Sequence, residues 1–340
     1  MSHLVVENSL PSWTVLHAHL HKSLKKRLLL KRGSRILMAV SGGQDSLCLA
    51  KMLLDLQPKW GWNLAIAHCD HQWRSDSAAN ALFVRNLANQ WQISYFEQTA
   101  EGVLSSEAVA RQWRYESLIQ IAQRQGYDII VTGHTASDRA ETLLYNLIRG
   151  SGADGLQALT WTRSLAANLQ LVRPLLSITR AQTAQFCQEM ELTIWEDSTN
   201  QSLEFARNRI RLELIPYLQA HFNPQVEQAL NQTTELLQAE VEYLEAAASQ
   251  LLVQAEWGVE GQSARFNRRV LQTAAIALQR RAVRQLLQQS LPETPNFEQI
   301  EKLVTLIAAP NRSQTDPFPG GAIAQVEGDW IWLRDSNSTD

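Results

Sequence analysis

The chain has 340 residues, of which 45% are hydrophobic and 19% charged, with a formal net charge of −3. That balance is globular, unlike a disordered or membrane chain, and the length suits two or three domains with at least one large core. The charge excludes a uniformly basic nucleic-acid binder but not local patches, and the lack of a long apolar run or signal-like segment points to the cytosol and away from a membrane.

In chain order, Trp13, Val15, Leu16 and Leu20 predict an amphipathic helix that continues into a basic stretch containing Lys25, Lys26 and Arg27 and no acid. Residues 36–40 are apolar throughout, as in a buried parallel strand, and residues 47–54 carry leucines at helical spacing. Between them lies Ser41-Gly42-Gly43-Gln44-Asp45-Ser46. Two glycines let the backbone approach a ligand, and a new helix offers unpaired amides at its positive end, so this is an anion cradle suited to phosphate. For a bare Gly-Gly pair an ordinary strand-to-helix turn is the better explanation.

A second strand over 64–68 ends in His68-Cys69-Asp70-His71, where open parallel sheets hold ligands. All four are competent metal donors, but neighbours on an extended chain point apart, so a nucleotide contact is favoured over zinc, and Arg74 follows closely. A helix over 77–91 and a strand over 93–96 follow. Glu107, Arg111 and Arg114 then share one face of a helix ending at Gly126, either as a Glu/Arg ion pair or as arginines facing an anion.

A fourth strand, 128–132, runs into Gly133-His134-Thr135-Ala136-Ser137-Asp138-Arg139-Ala140-Glu141-Thr142. Ser137 is the expected N-cap, and the helix dipole alone would justify acids in the first turns. Asp138 and Glu141 nevertheless share a face near His134, where a cation or an ammonium would find partners. Residues 171–176 predict an edge strand because of Pro174, a helix follows from Thr179 to about Glu191, and a basic helical segment with Arg207 and Arg211 ends near Pro216. Alternating strands and helices imply an open, mostly parallel sheet with helices on both faces, whose two ligand loops should converge.

Past Pro224 a near-heptad stripe from Val226 to Leu251 predicts a long connecting helix. Two helices, 267–289 and 296–308, and a hairpin turning at residues 327–329 complete a small, mainly helical C-terminal domain. Its arginines, among them Arg268, Arg280, Arg281 and Arg284, form either a polyanion surface or a solvated face. The expected domains are 1–216, a connecting helix over 217–258, and 259–340. The three cysteines, Cys48, Cys69 and Cys187, lie far apart in sequence and suit no local disulfide or Cys-x-x-Cys site.

Ser-Gly-Gly-x-Asp-Ser directly after an apolar strand resembles the pyrophosphate loop (PP-loop) of the N-type ATP pyrophosphatases, and no Gly-Lys-Ser/Thr follows as in a Walker loop. Six motifs in order, at 41–46, 68–71, 107–115, 132–142, 147–156 and 207–216, resemble the tRNA(Ile)-lysidine synthase branch of that family. The resemblance implies an adenine nucleotide alpha-hydrolase-like fold and a ligase that uses ATP and Mg2+. The enzyme would adenylate the C2 oxygen of the wobble cytidine in the CAU-anticodon isoleucine tRNA and then join free L-lysine there. It further implies that Ser41 to Ser46, with His71, Arg74, Arg111 and Arg114, bind ATP, and that Asp45 helps place Mg2+. His134, Asp138 and Glu141 would serve the amine, with Asp45 as the fourth catalytic residue. Arg207 and Arg211 would meet the lysine carboxylate or the RNA. Lys25, Lys26, Arg27, Arg268, Arg280, Arg281 and Arg284 would grip tRNA, and a homodimer is compatible with this scheme. Cys69 and Phe205 depart from the residues usual in the family without removing a charge. A tRNA thiolase of the same loop family would need cysteine pairs that are lacking, and a small-molecule synthetase would need an ammonia source with no visible motif.

Overall fold

The computed structural model describes residues 13–73, 75–102, 105–196, 201–260 and 263–335. The chain divides into two compact units, Met1–Glu235 and Leu236–Asp340. Family resemblance and sequence pattern both led to an open parallel sheet, and the first unit is built on one. It begins with α1 (Val15–Arg27), β1 (Arg35–Ala39), α2 (Gln44–Trp60), β2 (Asn63–Asp70), α3 (Ser77–Gln90) and β3 (Ser94–Thr99). It continues with α4 (Glu107–Gln125), β4 (Ile129–Thr132), α5 (Ala136–Ile148), α6 (Ala153–Leu156), β5 (Thr162–Ala166), β6 (Leu169–Val172) and α7 (Arg180–Glu189).

The six strands lie in the order β3-β2-β1-β4-β6-β5, all parallel except β5. β1 is central, and its residues alternate between two cores. Ile36 and Met38 join Leu49, Met52 and Leu53 of α2, whereas Leu37 joins Leu118 and Ala122 of α4 on the other face. Burial on both faces is why the strand reads as a continuous apolar run instead of an alternation.

Three local expectations are corrected. On α1 the buried positions are His17, Leu20 and Leu24, while Trp13 and Val15 are exposed; His17 turns inward because its Nε2 meets Asp55 at 3.1 Å. The strand near 171–176 is interior, since β5 pairs antiparallel outside it, and Pro174 falls beyond its last rung, where a missing N–H removes no ladder bond. The basic segment does not stop at Pro216 either. α8 (Ala206–Arg209) widens into a π turn at Ile210–Leu214 and continues as α9 (Ile215–His221), with Pro216 accommodated in the first turn of α9.

α10 (Val226–Gln254) carries the chain across the division between units. The second unit then has β7 (Gly258–Glu260), β8 (Ser263–Asn267), α11 (Arg268–Gln272), α12 (Ile276–Ser290), α13 (Phe297–Ile307), β9 (Ala322–Glu327) and β10 (Trp330–Asp335). The expected terminal hairpin is β9–β10, but β7 and β8 extend it into a four-stranded sheet, β7-β8-β10-β9. The expected helix over 267–289 breaks between α11 and α12. Among the described residues no helix is long and apolar enough to cross a membrane.

Arg268 is a core residue. It is 6% exposed and donates to the carbonyls of Gly328 (2.9 Å), Ile307 (3.2 Å) and Ala309 (2.5 Å), so it cannot reach a phosphate. Arg268→Ala would strand three carbonyls, the Ile307 one buried, and a loss of about 3 kcal/mol in urea unfolding of the second unit is expected. A loss under 1 kcal/mol would show that these bonds contribute little.

Candidate active site

Strands β2 and β3 extend the sheet to one side of β1, and β4 starts its extension to the other. The loops after β1 and β4 therefore open into the crevice at a topological switch point, where parallel sheets hold ligands. Their approach is close enough to be read from a missing atom. A Cβ on Gly133 would lie 2.8 Å from the Asp45 carbonyl carbon and oxygen and 2.9 Å from the Ser46 nitrogen. The two loops thus touch backbone to backbone, as their positions after neighbouring strands led us to expect.

The first loop is internally bonded. Ser46 Oγ donates to the Gly43 carbonyl at 2.8 Å and accepts from the Ser41 amide at 3.2 Å. Gly42 has φ +88°, and a Cβ there would meet Asn80 Oδ1 at 2.6 Å, so the position requires glycine twice over. Gly43 caps α2 without any side-chain bond, which leaves the first-turn amides for an incoming anion. Gln44 differs from its expected role as an ATP contact. Its amide donates to the Arg180 carbonyl at 2.7 Å and to Thr183 Oγ1 at 2.8 Å, tying the loop to α7.

The second loop enters α5 through a capping box centred on Thr135, which corrects the expected cap at Ser137. Asp138 Oδ2 accepts from the Thr135 amide at 2.8 Å, and Ser137 Oγ instead accepts from the Arg180 amide at 3.1 Å. His134 Nδ1 pairs with Thr132 Oγ1 at 2.8 Å. Burial holds its imidazole well below the usual range, and Arg173, Arg111 and Arg114 reinforce this against Asp138, so His134 is neutral.

A cavity of about 250 Å³ is lined by His71, Arg111, Arg114, His134, Asp138, Glu141, Arg207 and Arg211, with Glu107 and Trp73, and by none of Ser41 to Ser46. Arginines and carboxylates both line it, so the cavity can receive a ligand carrying both charges. Arg74 lies outside the described residues. Within the 68–71 motif, His68 is buried with Nδ1 donating to the Val40 carbonyl at 2.8 Å, and Asp70 accepts from the Gln72 amide at 2.8 Å. Among the described residues no group of three His, Cys, Asp or Glu side chains is placed to hold a metal ion.

Sequence reasoning missed Arg180. Its Nη2 meets Asp138 at 2.7 Å, its Nη1 meets Glu141 at 3.0 Å and its Nε meets Asp45 at 3.2 Å. A cation in the first turn of a helix opposes the macrodipole, and that misfit was the available signal. Thr183, one turn on, donates a short bond to Asp45 Oδ1. Arg211 completes the cluster with 2.7 Å and 2.9 Å bonds to Glu141, held out by the π turn. Burial raises the Asp45 carboxyl above its ordinary range; Arg180 opposes the rise and Asp138 adds to it. Burial would also raise Asp138, but Arg180, His134 and the bonds from Thr135 outweigh it and hold that carboxyl below the usual range. Cys48 and Cys187, distant in sequence, meet where α7 packs on α2, and Cys187 Sγ contacts the Gln44 carbonyl at 3.5 Å.

Of the basic residues expected to grip tRNA, Lys25 and Lys26 are exposed at the end of α1. Arg27 instead stacks on Trp161, 4.0 Å from the ring centroid, and pairs with Glu235 at 3.0 Å. In the second unit the patch is largely neutralised. Arg281 (2.6 Å) and Arg284 both converge on Glu245, and Arg280 pairs with Glu301 at 2.6 Å.

Comparison with known proteins gives the family. The PP-loop domain family matches residues 15–218, and the TilS substrate binding domain family matches residues 266–332. A tRNA(Ile)-lysidine synthase from Nostoc sp. is 65% identical over 333 residues, covering 95% of this chain and 97% of the relative. One from Synechocystis sp. is 50% identical over 326 residues, covering 94% and 98%. Among solved structures, the U34-tRNA thiolase NcsA from Methanococcus maripaludis aligns with a TM-score of 0.55 at 16% identity over 65% of this chain and 78% of that one, a likeness of fold. With PP-loop and substrate-binding domains both matched and near-full-length relatives at such identity, the chain belongs to the tRNA(Ile)-lysidine synthase family, ligases that use ATP to modify tRNA.

Proposed function

We propose that the chain joins free lysine to C2 of the wobble cytidine in the CAU-anticodon isoleucine tRNA. The cytidine C2 oxygen attacks the α-phosphorus of ATP, the α–β bond breaks and pyrophosphate leaves. An amine of lysine then attacks C2, AMP departs with the oxygen, and the amine gives up a proton. The observation that carries this reading is the meeting of two strand-end loops at the switch point, one offering helix amides and the other acids beside a cavity rich in arginine.

In this scheme the Ser41 to Ser46 loop receives the pyrophosphate, and His71, Arg111 and Arg114 neutralise charge near the phosphates. Asp45, a carboxylate beside the first-turn amides of α2 that no side chain caps, would help hold Mg2+, a hard cation suited to carboxylate and phosphate oxygens. When bound, Mg2+ would stabilise charge on the transferring phosphoryl group. Asp138 and Glu141 suit the lysine ammonium, one of these carboxylates would accept the proton, and neutral His134 donates or accepts a hydrogen bond at the reacting atoms. Arg207 and Arg211, which line the cavity, would meet the lysine carboxylate or the RNA.

Purified protein incubated with ATP, Mg2+, labelled lysine and unmodified isoleucine tRNA transcript is expected to place label in the tRNA. No incorporation, or incorporation without ATP, overturns the assignment. For the tRNA grip, changing Lys25 and Lys26 together to Ala is expected to weaken binding and lower the slope of log affinity against log salt by roughly 2. An unchanged slope would make that end of α1 a solvated face.

A further inference from the structure

We propose that Arg180 is a positioning residue that sets the two halves of the site in register, holding the nucleotide-side Asp45 and the amine-side Asp138 and Glu141 on one guanidinium. The inference rests on the lysidine-forming reading above and adds to it a residue outside the cavity lining.

Three carboxylates from two different loops would repel one another if drawn together alone. Arg180 meets each through a different nitrogen, at 3.2 Å, 2.7 Å and 3.0 Å, and its planar fork fixes their directions as well as their distances. Its backbone is clamped by the same two loops. The amide donates to Ser137 Oγ of the second loop at 3.1 Å, and the carbonyl accepts from Gln44 Nε2 of the first at 2.7 Å. The chain two residues before Arg180 joins in, since the amide of Ala136, the first residue of α5, donates to the Ile178 carbonyl at 2.8 Å. Thr183 repeats the link to Asp45 one turn later. The first turn of α7 is thus a brace across the crevice, with main chain and side chain pulling on both sides.

A brace of this kind acts on steps that need both halves aligned. ATP can still settle on the first loop and lysine on the second without it. What suffers is the reach from the α-phosphorus to the cytidine oxygen, and from the amine to C2, where a displacement near 1 Å costs about 100-fold. Lysine at this position keeps a cation between Asp138 and Glu141, but a single ammonium cannot also hold Asp45.

The test measures kcat and KM in R180Q and R180K, with active sites counted by ATP-binding stoichiometry and with parent protein alongside. R180Q is expected to lose about 100-fold in kcat per active site while KM for ATP and for lysine stay within about fivefold. R180K is expected to recover roughly tenfold of that loss, and it serves alone if R180Q does not fold. A parental kcat per active site in whichever variants fold would make Arg180 a merely structural residue and overturn the proposal. So would a loss residing in KM alone, which marks a binding residue. Failure of the parent protein to form lysidine in the same assay would sink the functional reading instead, so the two failures are distinguishable.

Discussion

Asp45→Ala is expected to lower AMP transfer to tRNA at least about 1,000-fold while leaving tRNA affinity within threefold. The figure corresponds to about 4 kcal/mol of transition-state stabilisation, the range expected when a metal-holding carboxylate is lost from a phosphoryl-transfer site. Asp45 sits in the first turn of α2, beside amides that no side chain caps. Its two charged or hydroxylic partners, Arg180 and Thr183, come from α7, across the crevice. The same substitution is expected to leave the melting temperature within a few degrees of the parent. Burial raises the Asp45 carboxyl, and a group whose pKa rises on folding makes the fold less stable at any pH above that value, so its removal relieves a cost at neutral pH. Transfer of labelled AMP from ATP, measured with and without chelator, checks the prediction. Activity within tenfold of the parent would remove Asp45 from the metal and phosphate chemistry.

That separation of activity from stability explains which parts of the site were legible in the sequence. Ser41-Gly42-Gly43-Gln44-Asp45-Ser46 announced itself because glycines, hydroxyls and an acid follow an apolar strand, a pattern the core alone does not require. Asp138 and Glu141 were visible by their spacing, and the close approach of Gly133 to Asp45 and Ser46 bears out the idea of converging loops. Periodicity could not reveal the partner of each charge. Arg268 and Arg281 look like surface arginines in one dimension, yet the first is held by three carbonyls and the second by Glu245. Arg180 was hidden for the opposite reason: it is a lone cation 135 positions from Asp45, and its role exists only once α7 docks on both loops. Edge strands suffered likewise. β5, whose burial pattern shows no buried residue, has no apolar signature and is defined by pairing with β6.

Gly133→Ala is expected to lower lysidine formation by about 100-fold and to destabilise the first unit by roughly 2 kcal/mol, although the change adds one methyl group and no charge. Its φ lies outside the left-handed region, so backbone strain is not the cause. The cause is distance. The added Cβ would press within 2.8–2.9 Å of the Asp45 carbonyl and the Ser46 amide, atoms of a helix first turn that cannot rotate away as a side chain could. Relief requires the loop after β4 to move off the loop after β1 by several tenths of an ångström, against the parallel pairing that holds Ala39 opposite Thr132. Overpacking of this kind typically costs 1–3 kcal/mol, and for a unit of this size each 1 kcal/mol lowers the melting temperature by roughly 2–4 °C. The catalytic loss should exceed what the stability loss explains, because the displacement falls on the line between the pyrophosphate cradle and His134, Asp138 and Glu141. Assays at a temperature where the variant is fully folded separate the two effects. A variant that is destabilised but fully active when folded would show that the register of the loops does not control the chemistry.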